Sequence, residues 1–381
     1  MHNFTFANPV KILFGRDVIG KLAAEAAGSG KKALLVYGGG SIKKNGVYAA
    51  LTAALAANGV EITEHAGVKP NPVLSHALEG IKKARAAGCD MIIAAGGGSV
   101  IDESKTIAAG VKYDGDVWDF FCGKAQPRAA LPLFTVLTIP ATGSEMNSGC
   151  VITNELTRQK YSAGGVVLFP KASALDPETT LTLPRPQIGY GAVDSIAHII
   201  EGYFTTTDRD AAVTDELVHG LARSIISSTD RILADQADYN ARASMMWSAT
   251  LALNGLPTCG YAGTHFINHA IEHALSAIYD IPHGAGLAIV MPAWFRHHLE
   301  KDGPARLAQF GKAVFGTPTA EETIKAFETF FKKAGAPVRL AEAGIPAEDI
   351  PRIAENAMSL IRLWGMKHEQ PEIEKILRNA V

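Results

Sequence analysis

The two halves of the chain have different hydrophobic periodicities, and this difference constrains the fold more than any other feature. Up to about residue 184, short aliphatic runs such as KALLVY, DMIIAA and LFTVLTIP alternate with alanine-rich segments of helical spacing. This alternation is typical of βα units around a parallel sheet. From LPRPQIGYGAVDSIAHIIEGYF onward, the long segments have helical spacing and no β runs. The sequence therefore predicts an α/β domain at residues 1–184 and an all-α domain at residues 185–381, divided where Pro184 and Pro186 interrupt regular structure.

Composition and charge exclude several classes of function. The 381 residues are 47% hydrophobic and 19% charged, which suits two domains with sizeable cores. The 36 basic and 38 acidic residues form no long run of one sign, so neither a nucleic-acid nor a membrane partner is expected. We also expect no signal peptide, no membrane span and no disulfide framework. A small-molecule partner and a cytoplasmic location follow as expectations.

Two glycine-rich turns follow predicted strands in the first half and are candidates for nucleotide binding. ALLVYGGGS ends at Ser41, and MIIAAGGGSVIDESK contains Gly97, Gly98 and Ser99. A glycine run between a strand and a helix lets backbone N–H groups and the positive helix end approach a phosphate, so the second turn is the expected pyrophosphate site. Neither turn matches GxGxxG or GxxxxGK[ST], and a glycine after a buried strand is often only a tight turn.

The first turn bears on the choice between NAD and NADP. Folds that select NAD commonly place a carboxylate after a strand to bind the ribose hydroxyls, whereas a 2'-phosphate needs space and positive charge. Here the turn at residues 38–41 is followed by Lys43 and Lys44, with no acidic residue. The turn favours NADP, and the alternative is that both lysines are merely solvated residues at a helix start.

Histidines and one aspartate in the second half have the spacing of a metal site. Asp194 and His198 stand at i and i+4, on one face of a predicted helix. INHAIEHALSAIYDIPHGAG adds His269, His273 and His283 to an apolar segment, where buried imidazoles need partners. One carboxylate with two or three imidazoles is a complete ligand set for a divalent metal. Histidines recur every four residues from position 265, so spacing alone leaves the choice of ligands open.

Eight motifs along the chain resemble one enzyme family. They are NPVKILFG, VYGGGSIKKNGVY, KPNPV, AAGGGSVIDESK, LTIPATGSEMNSGCVI, ALDPETTLTLP, GAVDSIAHIIEGYF and NHAIEHALSAIYDIPHGAGLAIVMP. In order and spacing the chain resembles the iron-containing (group III) alcohol dehydrogenases, particularly their NADP-dependent butanol dehydrogenase and aldehyde reductase branch. The likeness covers about residues 8–295 and is weak after about residue 300. It implies a Rossmann-like dinucleotide-binding domain and a metal-binding helical domain.

The resemblance also implies a set of metal ligands. The positions that match them are Asp194, His198, His269 and His283. They would hold one divalent metal, iron(II) or zinc, with nickel and manganese as further choices. His273 matches a histidine near the substrate and is the candidate proton relay. His265 has no counterpart, so we expect a structural role for it.

Cofactor residues follow from the same resemblance. NAD-preferring relatives have an aspartate where this chain has Gly39, so NADP(H) is again favoured over NAD(H). Asp102 is expected near the nicotinamide, as a catalytic as well as a cofactor-binding residue. The expected neighbours of the 2'-phosphate are Gly38, Gly39, Ser41 and Asn71. The other matching positions are Gly97, Gly98 and Ser99 at the pyrophosphate, Thr138, Thr142, Ser144 and Thr182 along the cofactor, and Lys160 at the nicotinamide ribose.

The implied reaction is the interconversion of small aliphatic primary alcohols and aldehydes. A metal with three imidazoles and one carboxylate keeps a position open where it polarises a carbonyl, while a nicotinamide supplies the hydride. The family suggests a homodimer or a larger homo-oligomer. Two alternatives are a lyase resembling dehydroquinate synthase, which uses metal and NAD transiently, and a metal- and nucleotide-binding protein without turnover.

Overall fold

The protein divides into two compact units. The structure, a computed structural model, describes all residues 1–381. Residues 7–183 form an α/β unit, whereas residues 184–381 form a helical unit that also includes Met1–Phe6. The backbone N–H of His2 donates to the carbonyl oxygen of Gly260 at 2.9 Å, which ties this terminus to the helical unit. The predicted fold class, a parallel α/β domain followed by an all-helical one, is confirmed.

A six-stranded parallel sheet forms the centre of the α/β unit. The strands of this unit are β1 (Lys11–Phe14), β2 (Lys32–Tyr37), β3 (Glu61–Ala66), β4 (Met91–Gly97), β5 (Leu133–Ile139), β6 (Gly149–Asn154), β7 (Gln159–Gly164) and β8 (Ala172–Leu175). The sheet order is β1-β8-β5-β4-β2-β3, and each neighbouring pair is parallel. Strands β6 and β7 form a separate antiparallel hairpin.

Helices cover the sheet and bury its central strands, whereas the edge strands β1 and β3 stay partly exposed. They are α1 (Val18–Ala27), α2 (Ser41–Lys44), α3 (Val47–Ala57), α4 (Leu74–Ala87), α5 (Gly98–Val111) and α6 (Trp118–Phe121). Leu22 of α1 and Leu51 of α3 join Leu35 of β2 and Ile93 of β4 in one core. Strand β4 is buried along its whole length, which explains why it appears in the sequence as a continuous aliphatic run.

The sheet order brings together turns that are distant in sequence. Strands β2, β4 and β5 are adjacent and parallel, with Tyr37 opposite Ala95 and Gly96 opposite Leu137. Their carboxyl ends therefore lie along one edge of the sheet, where ligands of open α/β sheets commonly bind. Residues 38–41, 97–99 and 138–144 lie at or directly after these strand ends.

The helical unit is built around one buried helix. Its helices are α7 (Arg185–Thr205), α8 (Ala212–Ala234), α9 (Tyr239–Ala252), α10 (Ile267–Tyr279), α11 (His283–Asp302), α12 (Ala305–Val314), α13 (Ala320–Lys333), α14 (Ile350–Leu363) and α15 (Gln370–Arg378). Helix α7 begins after Pro184 with Pro186 in its first turn, a position that proline favours. Nearly every side chain from Ile188 to Phe204 is buried, including those of Asp194, His198 and Glu201. None of the helices combines the length and the apolarity needed to cross a membrane.

Candidate metal centre and cofactor-binding turns

Three helices direct one carboxylate and three imidazoles to a single point in the helical unit. Asp194 and His198 stand one turn apart on α7, His269 lies on α10, and His283 is the first residue of α11. Oδ1 of Asp194 lies 3.5 Å from Nδ1 of His198, 3.7 Å from Nε2 of His269 and 3.5 Å from Nε2 of His283. The structure thus brings together the four side chains that the resemblance implied as ligands.

Two buried glutamates hold the imidazoles from behind. Nδ1 of His269 donates to Oε2 of Glu201, and Nδ1 of His283 donates to Oε2 of Glu272. Both glutamates are fully buried. A carboxylate behind a ligating histidine fixes the tautomer and the direction of the ring. Sequence reasoning missed both residues, although Glu201 follows Asp194 by two helical turns on α7 and Glu272 lies directly before His273.

The donor atoms of this cluster fit a divalent metal ion. Oδ1 of Asp194 and Nε2 of His269 are buried and have no hydrogen-bond partner. In the neutral ring, where Nδ1 of His269 gives its hydrogen to Glu201, Nε2 carries a lone pair that faces the lone pairs of Asp194. Buried acceptors that face each other are costly unless a cation lies between them.

The electrostatics of the cluster follow from its mixed charges. Burial alone would raise the pKa of Asp194, but the positive charges of His198 and His283 outweigh it and hold the pKa below its usual range. Burial opposes protonation of His269, yet Glu201 and Asp194 raise its pKa to about 10. The centre therefore strongly favours positive charge.

The other two histidines of this segment have different environments. His273 is 4% exposed, and its ring lies 5.6 Å from that of His283 and 5.9 Å from that of Trp364, between ring centroids. His265 lies against His368, with ring centroids 5.3 Å apart. Burial lowers the pKa of His265 to about 4, so it stays neutral near pH 7. These surroundings agree with a structural role for His265.

The second glycine turn depends on the absence of side chains. Gly97 ends β4 in an extended conformation and Gly98 begins α5. A Cβ on Gly97 would lie 2.9 Å from Cβ of Ile139, and one on Gly98 would overlap the side chain of Thr142. The glycines therefore let the turn pack against the end of β5, which leaves the N-terminus of α5 directly after the strand.

A buried polar network lies behind this turn. Oδ1 of Asp102 accepts a hydrogen bond from Oγ of Ser144 at 2.6 Å, and Oδ2 accepts one from the N–H of Val151 at 3.0 Å. Nζ of Lys105 donates to Oγ of Ser144 at 2.9 Å. Burial raises the pKa of Asp102 to about 6, although Lys105 opposes the shift. Thr138, on β5, is also buried.

The structure pairs two residues that were assigned to opposite ends of the cofactor. Nζ of Lys160 donates to Oδ1 of Asn71 at 3.1 Å, and both residues are buried. The resemblance placed Asn71 at the 2'-phosphate and Lys160 at the nicotinamide ribose, and both assignments stay predictions. Oγ of Ser99 donates to the carbonyl of Pro70, which connects the second turn to the loop that carries Asn71. Thr182 is exposed.

The first glycine turn leaves open space and places a lysine beside it. A Cβ on Gly39 would meet no atom within 4 Å. Nζ of Lys43 lies 3.3 Å from Oε2 of Glu64 and over the rings of Tyr37 and Tyr48. Both tyrosine hydroxyls donate to Glu64, and these hydrogen bonds help to lower its pKa. Sequence reasoning had found no acid near this turn, because Glu64 comes from the neighbouring strand β3.

Comparisons with known proteins cover nearly the whole chain. The family model of iron-containing alcohol dehydrogenase matches residues 9–177, and that of the Fe-containing alcohol dehydrogenase family, C-terminal, matches residues 188–381. Probable NADH-dependent butanol dehydrogenase 1 of Bacillus subtilis is 44% identical over 94% of both chains. NADPH-dependent aldehyde reductase YqhD of Escherichia coli is 34% identical over 93% of this chain and 92% of its own. The crystal structure of NADH-dependent butanol dehydrogenase A from Thermotoga maritima superposes with a TM-score of 0.96 at 45% identity, over 100% of this chain and 99% of its own.

Proposed function

The chain belongs to the iron-containing alcohol dehydrogenase family, and from this premise we propose that it reduces small aliphatic aldehydes to primary alcohols with NADP(H). The observation that carries the proposal is the convergence of three imidazoles on Oδ1 of Asp194. A hydrolase would also use such a centre, but it would not need two glycine turns at adjacent strand ends.

Four side chains of the helical unit are the proposed metal ligands. The four side chains that would hold one divalent ion, iron(II) or zinc, are Asp194, His198, His269 and His283. When bound, the ion would polarise the aldehyde carbonyl, and a nicotinamide cofactor would supply the hydride. Glu201 and Glu272 keep the lone pairs of His269 and His283 directed at Asp194.

His273 is the proposed proton donor to the carbonyl oxygen. It is buried, and its ring lies 5.6 Å from that of His283, between ring centroids. An imidazole can transfer a proton near neutral pH. Replacing His273 with Ala should lower turnover and alter its pH dependence while the metal content stays unchanged. Unchanged turnover across the pH range would contradict this role.

The glycine turns are the proposed cofactor site. Gly97, Gly98 and Ser99 offer backbone N–H groups and the N-terminus of α5 to the pyrophosphate. We assign Asn71 together with Lys160 to the nicotinamide ribose, since the two are hydrogen bonded. Asp102 is proposed to position Ser144 and the start of β6, because both of its oxygens accept hydrogen bonds.

The preference for NADP(H) is the finer part of the proposal. It is supported by the open space at Gly39 and by Lys43 and Lys44 on α2, which would face a 2'-phosphate together with Gly38 and Ser41. Glu64 partly neutralises Lys43, so we expect a modest preference. The relatives include enzymes named for NADH and for NADPH. Lys43→Ala should lower kcat/KM for NADPH about 10-fold and leave that for NADH unchanged, whereas an equal loss for both would contradict the assignment.

Steady-state assays with butanal test the function. We expect butanal to accelerate the oxidation of NADPH, and of NADH more slowly, in protein that has been loaded with iron(II) or zinc. Faster oxidation of NADH than of NADPH would overturn only the cofactor preference. No oxidation with either cofactor and either metal would favour the lyase or the protein without turnover.

A further inference from the structure

Two histidines and a glutamate form a second buried cluster, in the α/β unit. His65 lies on β3, His76 in the first turn of α4 and Glu103 on α5. Nε2 of His65 and Nδ1 of His76 lie 3.2 and 2.6 Å from the same atom, Oε1 of Glu103. The two rings are stacked, with centroids 4.1 Å apart. Strand β3 and helix α4 thus each direct one ring nitrogen at a carboxylate on α5, and the proposed reaction uses none of these residues.

The hydrogen bonding of His76 leaves a lone pair directed into the cluster. Nε2 of His76 lies 3.1 Å from the carbonyl oxygen of Ala66, so this nitrogen carries the hydrogen. In the neutral ring, Nδ1 then presents its lone pair to Oε1 of Glu103. Two acceptors 2.6 Å apart repel unless a proton or a metal ion lies between them. A backbone carbonyl behind the ring is also a common partner of metal-binding histidines.

The burial of Glu103 adds an independent demand for a cation. Its side chain is fully buried, its ion pairs are with the two imidazoles, and Oε2 has no hydrogen-bond partner. A buried carboxylate is costly unless positive charge compensates it. The amine of Lys83 lies on the other side of His65, 3.5 Å from Nδ1 and 3.2 Å from the carbonyl oxygen of Glu64. It therefore does not neutralise Glu103.

We propose that His65, His76 and Glu103 form a second divalent metal site, of the type that binds zinc. The ligands are Nε2 of His65, Nδ1 of His76 and the carboxylate of Glu103, whose candidate ligand atoms all lie within 4.8 Å of one another. Two imidazoles and one carboxylate are an established zinc ligand set. His76, whose side chain is 21% exposed, gives the ion a route from solvent. When Nε2 of His65 binds the metal, its Nδ1 carries the hydrogen. Lys83 then loses its contact with Nδ1 and keeps its hydrogen bond to the carbonyl oxygen of Glu64.

A metal at this site would brace the cofactor turns. It would connect β3 and α4, which flank the loop that carries Asn71, to α5, which begins at the pyrophosphate turn. The backbone of α4 already packs tightly here, because a Cβ on Gly80 would lie 2.9 Å from Nε2 of His65. The expected consequence of metal binding is a higher melting temperature.

Metal stoichiometry tests the proposal without reference to activity. The full-length protein is stripped with a chelator, incubated with excess zinc, desalted and analysed for bound zinc. We expect two equivalents in the wild type, one in Glu103→Gln, one in Asp194→Asn and none in the double variant. The control is Glu79→Gln, an exposed glutamate on α4, which should retain two equivalents. Circular dichroism checks that each variant is folded. If Glu103→Gln is not folded, His76→Gln takes its place, since the side chain of His76 is partly exposed.

The possible outcomes distinguish a bound metal ion from a proton that lies between Glu103 and His76. If Glu103→Gln or His76→Gln loses one equivalent that Glu79→Gln keeps, the site binds metal. If the wild type binds one equivalent and only Asp194→Asn loses it, a proton joins Glu103 to His76 and the proposal is wrong. Cobalt(II) in place of zinc gives an independent reading, because the visible absorption should titrate in two steps in the wild type and in one step in Glu103→Gln.

Discussion

Two buried aspartates, one in each unit, have opposite electrostatic environments. Asp194 in the helical unit is 3% exposed and Asp102 in the α/β unit is 8% exposed. The imidazoles around Asp194 lower its pKa despite burial, whereas burial raises the pKa of Asp102 to about 6 because Lys105 and its hydrogen-bond donors do not compensate fully. The difference teaches that charged side chains form the proposed metal centre, whereas backbone groups and the absence of side chains form the proposed cofactor turn.

Removing a charged side chain from the metal centre should have the largest effect. Asp194→Asn takes away the carboxylate that faces all three imidazoles. We expect its metal affinity to fall by more than the 10- to 100-fold typical of losing an outer partner, and aldehyde reduction to fall with it. Zinc analysis after desalting measures the loss. Asp210→Asn, at an exposed position of the same unit, should keep its metal, and equal metal contents in the two variants would contradict the ligand assignment.

Adding a side chain to the cofactor turn should weaken cofactor binding and leave metal binding unchanged. In Gly98→Ala the new Cβ overlaps Thr142, so the turn must shift away from the end of β5. We expect the KM for the nicotinamide cofactor to rise on the order of 10-fold, or about 1.4 kcal/mol, with metal content unchanged. Steady-state kinetics and metal analysis on one preparation measure both quantities. In Gly20→Ala, where a Cβ has open space on α1, the KM should not change, and a similar rise there would contradict the packing argument.

Changing a buried glutamate behind the imidazoles should lower metal affinity less than changing Asp194. Glu201→Gln keeps the shape of the side chain but removes the charge that Nδ1 of His269 faces. We expect metal affinity to fall about 10- to 100-fold, less than for Asp194→Asn. Competition with a chromophoric chelator gives the affinity. Glu216→Gln, whose side chain is 74% exposed, is the matched control, and a loss of equal size in both variants would argue against an orienting role for Glu201.

A carboxylate and histidine cluster elsewhere in the helical unit should show the smallest effect. Burial opposes ionisation of Glu372, but hydrogen bonds from Lys301, His368 and His297 lower its pKa to about 2. Because the folded pKa lies below the ordinary value of 4.5, the stabilisation is present above pH 4.5 and is lost as the pH falls toward 2. After allowance for solvent screening, Glu372→Gln should cost about 1 kcal/mol at pH 7.

Urea unfolding at two pH values checks this last prediction. The difference in unfolding free energy between wild type and Glu372→Gln should be smaller at pH 3 than at pH 7. A difference that does not change with pH would show that Glu372 acts through packing rather than through its charge.

Much of the fold could be predicted from the sequence because its signals are local. The strand β4 and its glycine turn, and the helix that carries Asp194 and His198, each have a period or spacing visible in one short segment. The family prediction is confirmed by the family models that match residues 9–177 and 188–381. The strand order β1-β8-β5-β4-β2-β3 was not predicted, because it depends on contacts between segments that are distant in sequence.

The residues that sequence reasoning missed act across elements. Glu201 contacts His269 from another helix, and Glu64 contacts Lys43 from another strand, so neither pairing has a spacing signal. The pairing of Asn71 with Lys160 likewise joins a loop to the hairpin of β6 and β7. Such contacts become visible only once the packing of helices and strands is known.

The most direct test of the account is metal removal and restoration in a single sample. Wild-type protein is stripped of metal, and butanal-dependent oxidation of NADPH is measured before and after iron(II) or zinc is returned. The account predicts that activity disappears with the metal and returns as the centre at Asp194 is filled, while Asp194→Asn recovers none. Full activity in the stripped protein, or equal recovery in Asp194→Asn, would contradict it.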